Sequence, residues 1–98
     1  MSSTETSVLE EVKLAHPVLW TVVLHNDDFT PMDFVVEVLT DVFHLSEIEA
    51  EAVMLTVHNE GKAPVGSFTK EIANTKAKMV LRLAEEFEHP LLATAEPA

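Results

Sequence analysis

The stretch HNDDFTPMDFV, residues 25–35, gathers an amide and two carboxylates between an apolar run and a helix start. These are Asn26, Asp27 and Asp28. A turn needs only one such side chain to bond its own backbone N–H groups. Three leave acceptors to spare, for a metal ion, a proton in transfer or a cation. A hard metal wants more oxygen ligands at fixed spacing, and Phe29 and Pro31 offer none. His58, in MLTVHNEG, is the other side chain able to take part. It falls where a helix should end, and there it meets either free carbonyls or a ligand. Asp27, Asp28 and His58 together would suit a small hydrolase or a metal-dependent enzyme. That alternative lacks a nucleophile, because the chain has no cysteine. Its serines (Ser2, Ser3, Ser7, Ser46 and Ser67) fall in the N-terminal stretch, at a cap or on a strand, and none forms a nucleophile elbow. With Gly61 and Gly66 as the only glycines there is no phosphate-binding loop. The expectation is a non-catalytic protein without cofactor or metal.

The elements that must position these groups are legible around them. VLWTVVL, residues 18–24, is β-branched and aromatic and reads as a strand. Thr30 suits a helix N-cap, Pro31 the first helical position, and Asp33 a capping partner. Met32, Val35, Val36, Leu39, Val42 and Phe43 then recur at helical spacing. Ser46 and Glu49 form a capping box for a second helix, with Ile48, Ala52, Val53, Leu55 and Val57 as its apolar positions. Met32, Val35, Met54 and Val57 are expected on the inner faces of these two helices. Gly61 should close the second in the left-handed conformation. KAPVGSF, residues 62–68, reads as a strand with a bulge or close approach at its glycine. Thr69 caps a third helix whose stripe runs through Ala73, Ala77, Val80, Ala84 and Phe87. Pro90 blocks its extension, and LLATA, residues 91–95, is the last strand. The order β-α-α-β-α-β implies an α+β fold, a small sheet covered by three helices.

The chain has 98 residues, 47% of them hydrophobic, which is one domain with material for one core. Residues 1–17 read as a flexible tail and residues 18–98 as the folded domain. The N-terminus lacks the basic and apolar segments of a secretory signal, and no apolar run is long enough to span a membrane. A formal charge of −11 argues against nucleic acid or anionic lipid as partner. Five of the six basic residues, Lys62, Lys70, Lys76, Lys78 and Arg82, cluster in one segment.

HNDDFTPMDFVVEVL, EAVMLTVHNEGKAPVG, FTKEIANTKAKMV and EHPLLAT, in that order and spacing, resemble the ClpS family. These adaptors deliver proteins with particular N-terminal residues, N-degrons, to a Clp AAA+ protease. The resemblance covers residues 19–97 and implies a three-stranded antiparallel sheet under three helices. It also implies that Asn26, Asp28 and His58 hold the free α-amino group of a substrate, with Asp27 supporting the loop or the substrate backbone. An ammonium offers three donors, and an amide oxygen, a carboxylate and an imidazole nitrogen supply three acceptors. The first side chain would enter an apolar pocket at Leu24, Thr30, Met32, Val35, Met54, Val57 and Leu91. Met32 matches a gatekeeping position that disfavours Cβ-branched Val and Ile, so Phe, Leu, Tyr and Trp are expected. Docking on the N-terminal domain of a ClpA- or ClpC-type unfoldase would use Glu71 and Lys76. The resemblance further implies a monomer in the bacterial cytosol or a plastid stroma. Two departures stand out. His25 replaces a residue often hydrophobic before N-D-D, and Pro64 interrupts a strand, which suits an edge or an irregularity.

Overall fold

The computed structural model describes residues 18–98. The flexible tail expected at 1–17 lies outside the described residues. The elements are β1 (Trp20–His25), α1 (Met32–Phe43), α2 (Glu47–Glu60), β2 (Lys62–Phe68), α3 (Lys70–Glu86) and β3 (Leu92–Pro97). This is the β-α-α-β-α-β order read from the sequence.

The strands form one antiparallel sheet in the order β2-β1-β3, so β1 is central. Alternation along β1 sends Val22 and Leu24 into the core. They meet Ala63 of β2, Ala93 of β3 and the buried faces of the helices. The small stripe Ala73, Ala77, Val80 and Ala84 lets α3 lie close on the sheet. The stripe ends one residue early: Phe87 is the C-cap of α3 and stays exposed, its ring tilted against Phe34 at 5.6 Å.

β2 is an edge strand with a bulge. Val22 pairs with Gly66 and Val23 with Pro64, which leaves Val65 as the extra residue. The register break falls beside the proline that cannot donate to a ladder. A Cβ on Gly66 would come within 3.0 Å of the Phe68 ring, so the glycine marks a close approach.

Two expected details differ. The N-cap of α1 is Pro31, not Thr30, and no side chain caps it. The Thr30 hydroxyl is already donated to Asp27 at 2.7 Å, and Asp33 instead accepts from the N–H of Phe34. On α2, Ile48 is 81% exposed and Leu55 also faces solvent, whereas Ala50 and Val57 are buried. Ile48 and Leu55 are seven residues apart, as are Ala50 and Val57. The two stripes lie on opposite faces because two positions turn a helix by about 200°. The structure buries the smaller one. The Ser46–Glu49 capping box is present, and Gly61 ends α2 at φ 91°.

Candidate functional site

The polar loop is built by one of its three side chains. Asp27 Oδ1 accepts the N–H groups of Phe29 and Thr30 at 2.8 and 2.7 Å, and Oδ2 accepts the Thr30 hydroxyl. Burial acts most strongly on this carboxylate and pushes its pKa up. The hydroxyl and backbone bonds from Thr30, the N–H of Phe29 and the nearby His89 together outweigh that. The net result holds Asp27 below the usual aspartate value of 3.8.

With Asp27 committed to the turn, Asn26 and Asp28 are exposed, and their side chains make no hydrogen bond among the described residues. Asn26 is tied through its backbone, its N–H donating to the Gly61 carbonyl at 2.8 Å. That bond extends the β1–β2 pairing by one residue and clamps the loop to the end of α2. The N–H of Gly61 donates to the Val57 carbonyl, so His58 stands in the last turn of α2, beside Asn26. The left-handed glycine thus does two jobs. It ends the helix and helps to set the imidazole on the same cleft as the amide and carboxylate.

These groups line one cleft of about 380 Å³. Asn26, Asp27, Asp28 and His58 form its polar side. Thr30, Met32, Val35 and Met54 form the other, where the start of α1 faces α2. Met32 is 45% exposed at the mouth, whereas Val35 is buried behind it. Leu24, Val57 and Leu91, expected in the same pocket, are buried in the core with Val35, which also lines the cleft. Inward alternation on β1 and the inner face of α2 bury the first two. Phe29 and Pro31 line the cleft without having been singled out for it. The signal for Phe29 was an aromatic within a polar loop, and it is 80% exposed.

Asp27, Asp28 and His58 are not arranged as a metal set: among the described residues no group of three or more such side chains could hold an ion. Ser46 is bound in its capping box and Ser67 is exposed on β2, so among the described residues no serine lines the cleft. No helix among the described residues is long and apolar enough to cross a membrane.

Glu71 and Lys76 lie on α3, away from the cleft. Glu71 is exposed in the first turn. Lys76 is half-buried, its Nζ donating to the Val42 carbonyl at 2.8 Å and lying 5.7 and 5.6 Å from the ring centres of Phe43 and Phe68. Lys76, expected with Glu71 at the unfoldase-docking surface, has its ammonium bonded to the last turn of α1.

Comparison with known proteins bears on the family and the fold. The family model described as ATP-dependent Clp protease adaptor protein ClpS matches residues 15–94. The ATP-dependent Clp protease adapter protein ClpS of Vibrio atlanticus is 52% identical over 87 residues, covering 89% of this chain and 82% of the relative. That of Deinococcus radiodurans is 46% identical over 92 residues, covering 94% and 81%. The solved structure of Agrobacterium tumefaciens ClpS2 bound to L-phenylalaninamide matches with a TM-score of 0.83 at 44% identity, covering 85% of this chain and 100% of the other. With the family model spanning nearly all the described fold, and with relatives this similar along most of their length, the chain belongs to the ClpS family of Clp protease adaptors.

Proposed function

We propose that this adaptor binds the free N-terminus of proteins that begin with Phe, Leu, Tyr or Trp and delivers them to a Clp AAA+ unfoldase for degradation. The observation that carries the reading is the division of the cleft. Asn26, Asp28 and His58, whose side chains make no hydrogen bond among the described residues, line the same cleft as Met32, Val35 and Met54. An α-ammonium matches the first set, each charged hydrogen bond contributing about 1.5–3 kcal/mol. A bulky side chain matches the second, contributing about 1.5–3 kcal/mol on burial. Leu24, Val57 and Leu91 back that wall, and Asp27 holds the loop in shape. The ligand of the Agrobacterium structure, L-phenylalaninamide, carries both features, a free amine and a benzyl side chain. An adaptor of this kind performs no chemistry itself.

Docking on the N-terminal domain of the unfoldase falls to the start of α3, with Glu71 as the free side chain and Lys76 setting the surface beside it. The protein would act as a monomer in the cytosol, or in a plastid stroma.

Fluorescence anisotropy with a labelled peptide beginning in Phe, against the same peptide N-acetylated, tests the reading. The free amine should bind with micromolar or better affinity, about −8 kcal/mol or tighter, and the acetylated form should not. His58→Ala and Asn26→Ala should each weaken binding about tenfold, roughly 1.4 kcal/mol. Equal binding of free and acetylated peptides overturns the reading.

A further inference from the structure

The face of the sheet turned away from the helices carries a hydrogen-bonded chain of three side chains. Val22 and Leu24 point into the core, as does Ala93. Alternation therefore turns His25 of β1, with Thr94 and Glu96 of β3, to the opposite face. His25 Nε2 lies 2.8 Å from Thr94 Oγ1, and the Thr94 hydroxyl donates to Glu96 Oε2 at 2.7 Å. The far end of the chain sets its direction. A carboxylate only accepts, so the one hydroxyl hydrogen of Thr94 is spent on Glu96 and the bond from His25 comes from Nε2–H. His25 pairs with Leu92 and Val23 with Thr94, so the imidazole reaches diagonally across the two strands. The chain sits where backbone pairing runs out. The β1–β3 register ends at His25 and Leu92. On the β2 side the Asn26 N–H still reaches the Gly61 carbonyl. On the β3 side no hydrogen bond holds residues 26–30 among the described residues, and the last tie before Asn26 is the His25 side chain. His25 is also a departure from the ClpS pattern, and core packing does not account for it, because it faces away from the core.

We propose that His25 is a positioning residue for amine recognition: its bond through Thr94 to Glu96 pins the end of β1 on the β3 side and so orients Asn26, the next residue, toward the ammonium. The inference rests on the amine reading of the cleft. Preorganisation is the physical ground. Asn26 is exposed and its side chain bonds nothing among the described residues, so its direction is set by the backbone on either side of it. A strand end tied along one edge retains a twisting motion that a strand end tied along both edges loses. Order already present in the free protein does not have to be created on binding, and affinity rises accordingly.

The labelled peptide beginning in Phe, free and N-acetylated, tests this on variants whose folding is checked by urea titration. His25→Val and Thr94→Val break the chain at two points and keep side chains that suit a strand. Each should weaken binding of the free-amine peptide about threefold, and either one serves if the other fails to fold. Thr94→Ser keeps the hydroxyl and should hold the affinity within about 1.5-fold of the unaltered protein. The deciding measurement repeats the Val variants in an Asn26→Ala background. There each should change the affinity by less than about 1.5-fold, because the group that the chain orients is gone. A threefold loss in both backgrounds would make the chain a general support of the cleft and overturn the assignment. Unchanged affinity in the Val variants overturns it too, as does a loss in Thr94→Ser equal to that in Thr94→Val, while in each case the amine site stands. Equal binding of free and acetylated peptides by the unaltered protein brings down the amine reading, and this one with it.

Discussion

At the scale of single residues, the site depends on a division of labour between neighbours of similar chemistry. Asp27 and Asp28 are adjacent carboxylates, yet one is consumed by Phe29 and Thr30 while the other is left open. The sequence marked the cluster as richer than a turn requires. It could not say which aspartate builds the loop, because that depends on where the N–H groups of residues 29 and 30 point once α1 is in place. The same gap explains Thr30, read as a cap although its hydroxyl serves Asp27. A pH prediction follows from the lowered pKa of Asp27. A carboxyl group whose folded pKa lies below its unfolded value adds stability above the unfolded value, and loses it as pH falls through the folded one. Asp27→Asn keeps the shape and removes the charge. It should cost about 1 kcal/mol at pH 6, read as a lower urea midpoint than the unaltered protein. The gap should narrow once pH drops below 3.8, the ordinary value for this group. A gap that stays constant down to pH 3 would show that the charge of Asp27 is not what holds the turn.

At the scale of elements, ends were more legible than faces. Ser46–Glu49, Thr69 and Gly61 announce helix boundaries by local chemistry, and each stands where expected. Which face of α2 turns inward was not legible, since Ile48 and Leu55 outweigh Ala50 and Val57 on any hydrophobicity count. Packing against α1 and β2 decides it, and the small face allows the close approach that puts Met54 opposite Met32. The end of α1 held another feature that no local pattern reveals. Lys76 is 34 residues from Val42 in sequence, yet its ammonium bonds that carbonyl. A cation at a helix C-terminus is favourable both as donor and against the dipole. Two substitutions on α3 should therefore separate. Lys76→Ala should lower stability by about 1–2 kcal/mol in a urea titration, and weaken docking to the unfoldase N-terminal domain as a consequence. Glu71→Ala should weaken docking with the urea midpoint unchanged. If Lys76→Ala leaves stability intact, its bond to α1 contributes nothing and the lysine acts only at the surface.

At the scale of the whole molecule, the cleft belongs to no single element. It is made where the end of β1, the start of α1 and the end of α2 meet, and the Asn26–Gly61 bond ties the loop to the helix end. Order and spacing of the motifs carried this much in the sequence, because each polar group lies at the boundary of an element and β1 runs up the centre of the sheet. The depth of the pocket was not carried. Leu24, Val57 and Leu91, expected in the pocket, are buried in the core with Val35, and how far the pocket opens toward them depends on side chains from three separate elements. This arrangement makes ligand binding and global folding one event. A ligand that bridges the loop after β1, α1 and α2 binds the folded chain and not the unfolded one, so it stabilises the fold by mass action. At ten times its dissociation constant, L-phenylalaninamide should add about 1.4 kcal/mol, raising the Tm by roughly 5–10 °C for a domain of this size. N-acetyl-L-phenylalaninamide at the same concentration should leave it unchanged, because the acceptors on Asn26, Asp28 and His58 then face no ammonium. At the same ligand concentration the tenfold weaker Asn26→Ala should keep only about 0.4 kcal/mol of this stabilisation, roughly a third of the shift, although Asn26 contributes no buried area. A shift given equally by both compounds would place the binding in the apolar wall alone, and the polar loop would then be a turn and nothing more.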